Sequence, residues 1–265
     1  MSSVTSICNP FDSAAAKVHS NYCTFDGKRL LGRDAAPPSP LTAFVHDGFR
    51  SLVLNEHFSC VGAKAAIRQG GYRFGLFEAL ASPESCAGLA RDLFTFIQER
   101  HSLQTDFQTF VASFTAPAPA DELAFEQALW TTLQHLHDLD VAHHGWSAGV
   151  AADAADPHFS FSFAHTAFFV VGLHAASSRM TRRFAWPTLI FNPHDQFDRL
   201  RASGHYSRMQ KVIRDTEQAV QGNINPMLND FGERSEASQY AGRKVGPEWQ
   251  CPFHARREPA AGGEG

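Results

Sequence analysis

From Tyr72 to Phe191 the chain repeatedly sets a short β-forming run beside a longer run with helical periodicity, and that alternation restricts it to a sheet flanked by helices. Tyr72-Arg73-Phe74-Gly75-Leu76-Phe77, following Gly70-Gly71, reads as a strand. Ser82-Pro83-Glu84 reads as a helix start, because serine accepts from orphan amides, proline loses no amide there, and glutamate suits the positive end. Behind it Leu89, Ala90, Leu93, Phe94 and Ile97 form an apolar stripe. Residues 107–114 predict the next strand, the proline-punctuated 115–120 a connection, and Asp121 the cap of a helix carrying Phe125, Leu129, Leu133 and Leu136. Residues 159–163 alternate cleanly, 168–171 form a buried-strand run, and 188–191 follow Pro187 as another strand. Helices are expected at about 196–201 and 206–220.

Upstream, Leu41, Phe44, Val45, Phe49, Leu52 and Val53 fit one helical face, the first core helix. The low-aromatic, proline-rich residues 1–40 read as a flexible arm, 41–254 as a single domain, and 255–265 as a disordered tail. The C-terminal turns at Gly222-Asn223, Asp230-Phe231-Gly232 and Tyr240-Ala241-Gly242 read as loop-borne function. The expected class is α+β or mixed α/β: a central, mixed but mostly antiparallel sheet flanked by helices, with a loop-rich C-terminal segment.

A net charge of -4 leaves no cationic excess to neutralise a phosphate backbone, which argues against nucleic acid. The apolar run at 167–173 is far short of the roughly 20 residues of a membrane span, and the N-terminus lacks an export signal, so a cytoplasmic protein is expected. Five scattered cysteines, none in a CxxC pair, read as reduced thiols.

The 14 histidines and 23 phenylalanines suit a flat apolar macrocycle held by imidazole, although phenylalanines build ordinary cores more often. His135, His137, Asp138, Asp140, His143 and His144 crowd one helix end; His137 and Asp140 with a further histidine make a non-haem iron site the rival reading. Arg179, Arg182 and Arg183 offer guanidinium forks for the carboxylates of a haem or an amino-acid substrate, or else form a solvated turn. Asp230, Glu233 and Glu236 form an acidic edge suited to a guanidinium or ammonium group.

Several ordered blocks add to this pattern: Phe49-Arg50, then Phe58-Ser59-Cys60-Val61-Gly62-Ala63-Lys64, then Ala167 to His174 with Ser177-Ser178-Arg179 and Arg182-Arg183-Phe184. Phe191-Asn192-Pro193-His194-Asp195-Gln196-Phe197, Leu200-Arg201, Asn225-Pro226, Ser235-Glu236-Ala237, Gln239-Tyr240 and Trp249-Gln250-Cys251-Pro252-Phe253 follow. Together they resemble the YqcI/YcgG family, with Ser59 standing where the family signature has proline. That family includes haem-dependent enzymes that hydroxylate guanidine nitrogen. The resemblance implies a monooxygenase that N-hydroxylates a guanidino or amino group of a small amino-acid-like substrate. It also implies haem b and an external electron donor, a reductase or ferredoxin; a homodimer stays open.

On that reading His174, ending a buried strand, is the first axial-ligand candidate, with His194 next and Cys251 as a thiolate third. The implied catalytic set is His174, His194 and Asn192. Cofactor contacts are expected from His57, Cys60, Lys64, Arg179, Arg182 and Arg183, and substrate contacts from Asp230, Glu236, Tyr240 and Arg201. A haem-binding sensor or carrier without turnover remains the other alternative.

Overall fold

Local capping fixes two of the long helices. The computed structural model describes residues 8–256. In it the Ser82 side chain accepts from the Ser85 amide at 3.1 Å to start α4 (Pro83–Glu99), and Asp121 accepts from Ala124 at 2.7 Å to start α5 (Glu122–Asp140). Caps of this kind contribute about 1 kcal/mol each. The remaining helices are α1 (Ala14–His19), α2 (Pro40–Leu54), α3 (Val61–Arg68), α6 (Asp195–Ala202), α7 (His205–Gln221) and α8 (Ala237–Tyr240).

Strands β3 (Tyr72–Ala79), β4 (Thr109–Ala116), β5 (Phe161–Phe163), β6 (Thr166–Leu173) and β7 (Thr188–Pro193) form one sheet in the order β3-β4-β7-β6-β5. Only β3 and β4 run parallel, joined through α4; the other three pairings are antiparallel. This is the expected mixed, mostly antiparallel α+β sheet. In the β6–β7 register Phe169 lies opposite Asn192, Val171 opposite Ile190, and Leu173 opposite Thr188.

The side-chain alternation of strands divides the core in two. Phe110, Ala112 and Phe114 of β4, Phe168 and Val170 of β6, and Leu189 and Phe191 of β7 pack on one face beneath α4 and α5. Tyr72, Phe74, Val111, Leu173 and Ile190 face the other way, toward α2 and α3.

The structure departs from the expectations at two places. Residues 8–40 are packed rather than a free arm: Phe11, Ala16, Tyr22 and Cys23 are buried, and β1 (Thr24–Phe25) pairs with β2 (Leu30–Leu31). The docking is polar and long-range, since the Ser20 hydroxyl and the Asn21 amide both donate to buried Asp92 of α4, at 2.5 and 2.7 Å. Gly88 permits it: a Cβ there would lie 2.1 Å from the His19 carbonyl oxygen. Cys23 also exchanges both backbone hydrogen bonds with Phe74 of β3. Residues 1–7 and 257–265, the ends of the expected arm and tail, lie outside the described residues.

The second departure is the face of α2. Leu41 and Phe44 are 48% and 66% exposed, whereas Thr42, Val45, His46, Phe49 and Val53 are buried. Two polar residues go inward because they are satisfied there: Thr42 Oγ1 meets Ser39 Oγ at 2.9 Å and His46 Nε2 meets the Tyr72 hydroxyl at 2.7 Å. All five cysteines are unpaired. Among the described residues no helix is long and apolar enough to cross a membrane.

Candidate functional site

The α2/α3 side of the sheet does not close over β6 and β7. A cavity opens there between those strands, α3, α6, α7 and the loops leading to α8. It encloses about 1600 Å³ of empty space, its mouth included. Its enclosed part is about 260 Å³, near the lower end of the roughly 300–1,000 Å³ of small-molecule sites. Phe58, Phe107, Phe169, Phe197 and Phe231 supply aromatic walls, and Val171, Leu173 and Ile190 an aliphatic floor.

His194 lines this cavity immediately after β7, in phase with Ile190 and Asn192. Its backbone is pinned by donation to the Ala167 carbonyl at 2.8 Å. The start of α6 is fixed by a fork from Arg100 to Asp195, at 3.0 and 2.9 Å, and by Gln196, which exchanges hydrogen bonds with the Gln108 backbone. The ring is buried and tilted over Phe231 at 4.4 Å. Burial holds its pKa below the usual histidine value, partly opposed by Asp198, so the neutral imidazole is favoured, the form that can donate a lone pair.

Glu236 is the cavity's buried acid. Its Oε1 accepts from the Ser160 hydroxyl at 2.7 Å and the Tyr240 hydroxyl at 2.6 Å, while Oε2 stands 3.9 Å from His194 Nε2. Burial outweighs those hydrogen bonds and raises the carboxyl from 4.5 to about 8. With Oε1 committed as an acceptor, the proton belongs on Oε2. Asn192 completes the group, its Nδ2 donating to the Phe169 carbonyl at 3.1 Å.

Of the residues singled out from the sequence, Cys60, Arg182, Asn192, His194, Arg201 and Glu236 line the cavity. His174 does not. Completely buried on the opposite side of the sheet, it stacks on Phe125 of α5 at 4.2 Å, and neither ring nitrogen has a hydrogen-bond partner among the described residues. Cys251 packs against the α4/α5 core, where burial raises its thiol to about 12, the opposite of a stabilised thiolate. His57 is exposed beside Glu56, and Lys64 donates to the Glu56 carbonyl instead of entering the cavity. Arg179 is consumed by Glu217 and Asn223, and Arg183 by the Ser177 carbonyl. Asp230 is held by the Gln210 side chain outside the lining. Tyr240 lies behind the wall, where its hydroxyl donates to Glu236 and accepts from the Phe161 amide at 3.0 Å.

The helix-end cluster disperses as well. His137 Nε2 accepts from the Arg256 amide, and Asp140 bonds His144 and the Ala164 amide. No group of three or more His, Cys, Asp or Glu disposed for a metal ion occurs among the described residues. Among the described residues His137, Asp140 and a further histidine do not come together as a ligand set.

Gln108 and Asn229 are cavity residues that motif reasoning passed over, since isolated amides carry no recognisable spacing, and Gln196 and Gln239, which lie within the ordered blocks, were given no role in the site. The residues present fit a haem: one neutral buried imidazole, aromatic and aliphatic walls, and Arg182 among the lining for a carboxylate, while Arg201 is already paired with Asp198 at 2.8 Å.

A family model described as the YqcI/YcgG family matches residues 49–254. No curated protein matches. No solved structure matches either.

Proposed function

The chain belongs to the YqcI/YcgG family, and from that premise we propose that it is a haem-dependent monooxygenase that N-hydroxylates a guanidino or amino group of a small amino-acid-like substrate. The observation that supports this best is the pairing of a neutral, buried imidazole at His194 with a buried carboxyl at Glu236 in one phenylalanine-walled cavity.

His194 would hold the iron through a ring nitrogen, on a mount stiffened by the Arg100–Asp195 fork. Bound haem would supply oxygen activation, two electrons from an external donor and two protons delivering one oxygen atom to the N–O bond and the other to water. Glu236 would receive the cationic end of the substrate. At neutral pH its Oε2 carries a proton in the empty cavity; an arriving guanidinium replaces that proton, which leaves to solvent through the mouth. The Ser160 and Tyr240 hydroxyls keep Oε1 occupied and so turn Oε2 into the contact atom. The apolar walls exclude water and strengthen this charge pair.

The test is a haemin titration of purified protein followed by its visible spectrum. His194→Ala is expected to abolish stoichiometric binding, and His174→Ala to retain it. Retention in His194→Ala would remove the ligand assignment. Single-turnover reactions with reductant, oxygen and guanidino or amino compounds then separate an enzyme from a carrier. A haem-loaded protein that returns every compound unchanged would overturn the enzymatic reading.

A further inference from the structure

Arg182 is the one member of the arginine turn that reaches the cavity. Its Nη1 donates to the Tyr240 carbonyl at 2.9 Å and more loosely to the Gly172 carbonyl at 3.5 Å, both neutral acceptors. Nε and Nη2 make no hydrogen bond among the described residues, yet neither is sealed in protein. No carboxylate among those residues forms an ion pair with it. The nearby acid Glu217 is taken by Arg179 at 2.9 Å and by the Asn225 amide, so two guanidinium groups share one carboxylate. Burial lowers Arg182 to about 10, which still leaves it charged at neutral pH. A half-buried cation with no paired carboxylate is left partly desolvated, a cost that a carboxylate ligand would offset.

The side chain is also held in place. Gly242 has φ +87°, and a Cβ there would fall 2.6 Å from Arg182 Cδ and 2.9 Å from Nη1, so the stem lies directly on the glycine. The Arg182 backbone is tied on both sides, its amide donating to Arg179 and its carbonyl accepting from His174. Tyr240 connects the two poles of the cavity, its carbonyl accepting from Arg182 and its hydroxyl donating to Glu236.

We propose that Arg182 is a carboxylate-binding subsite of this cavity, separate from the acidic pole at Glu236. A planar carboxylate meets the guanidinium edge that the protein leaves vacant. Two sources carry that chemistry, the carboxylate of the substrate and a propionate of the macrocycle. Naming these two rests on the functional reading above; the subsite itself rests on the unmatched guanidinium.

The experiment uses two matched ligand pairs on the full chain. Calorimetry compares 4-guanidinobutyrate with butylguanidine, which lacks only the carboxylate, and spectrophotometric titration compares haemin with its dimethyl ester. Wild type is expected to favour the free carboxylate by about tenfold or more in at least one pair. Arg182→Met, checked by thermal melting, should erase that preference, and Arg182→Lys, which keeps charge without the fork, should retain part of it. Discrimination in the first pair assigns the subsite to substrate, and in the second to propionate. Wild type that discriminates neither pair overturns the proposal, as does a folded Met or Lys variant with wild-type discrimination in both. A colourless protein that still prefers 4-guanidinobutyrate would instead sink the haem reading and leave the subsite standing.

Discussion

Replacing Glu236 by glutamine isolates the electrostatic cost of the cavity's acid. Glutamine reproduces the protonated carboxyl, since its oxygen can accept from Ser160 and Tyr240 while its amide takes the place of Oε2. The folded protein keeps the Glu236 proton up to about pH 8, whereas the unfolded chain releases it near 4.5. Between those values the native state binds the extra proton, so stability falls as pH rises. At about 1.4 kcal/mol per pH unit the window sets a ceiling of about 5 kcal/mol. Relaxation of the surroundings around the ionised carboxylate trims this to about 2–5 kcal/mol. Urea unfolding of both proteins at pH 5, 7 and 9 reads the difference directly, because every other titrating group is common to them. The curves should differ by less than about 1 kcal/mol at pH 5, where the unfolded chain has only begun to gain from releasing the proton, and Glu236→Gln should be the more stable by the full margin at pH 9. Parallel curves across the range would refute the assignment of a neutral carboxyl to the native state.

Two substitutions away from the cavity test the packing. His174→Leu removes two buried ring nitrogens that lack partners while preserving bulk against Phe125, and should stabilise the fold by about 1–2 kcal/mol in urea; a comparable loss would mean that the ring is satisfied after all. Gly88→Ala drives a methyl group into the His19 carbonyl and should cost about 1–3 kcal/mol, with limited proteolysis cutting near residue 20; unchanged stability and resistance would contradict the docking of α1.

The elements that could be read from sequence are those whose signals are local. Ser82-Pro83 and Asp121 start their helices because a cap needs only three neighbouring residues, and the runs at 72–77, 168–171 and 188–191 lie within their strands. Docking of residues 8–36 was not legible, since Ser20 and Asn21 meet Asp92, more than 70 positions away, and no periodicity names that partner. The α2 face failed for a different reason: hydropathy scores Thr42 and His46 as outward residues, although each has a polar partner inside.

The two histidines show where local reading stops and register takes over. His174 and His194 each follow a strand of the sheet, in similar apolar surroundings, and sequence gave His174 the better claim. Strand parity reverses the order. His174 continues the phase of Val170, which packs toward α5, whereas His194 continues the phase of Ile190 and Asn192, which line the cavity. One polar side chain in an apolar strand could have marked the open face in advance: Asn192 interrupts Thr188-Leu189-Ile190-Phe191, and a strand burying both faces beneath helices has no need of it. Parity from Asn192 leads to His194, and cross-strand pairing with Phe169 leads to the same face of β6 through Val171 and Leu173. Glu236 lay beyond this argument, because it reaches the cavity from a loop and is held there by Ser160 and Tyr240, contacts that exist only once the sheet has formed.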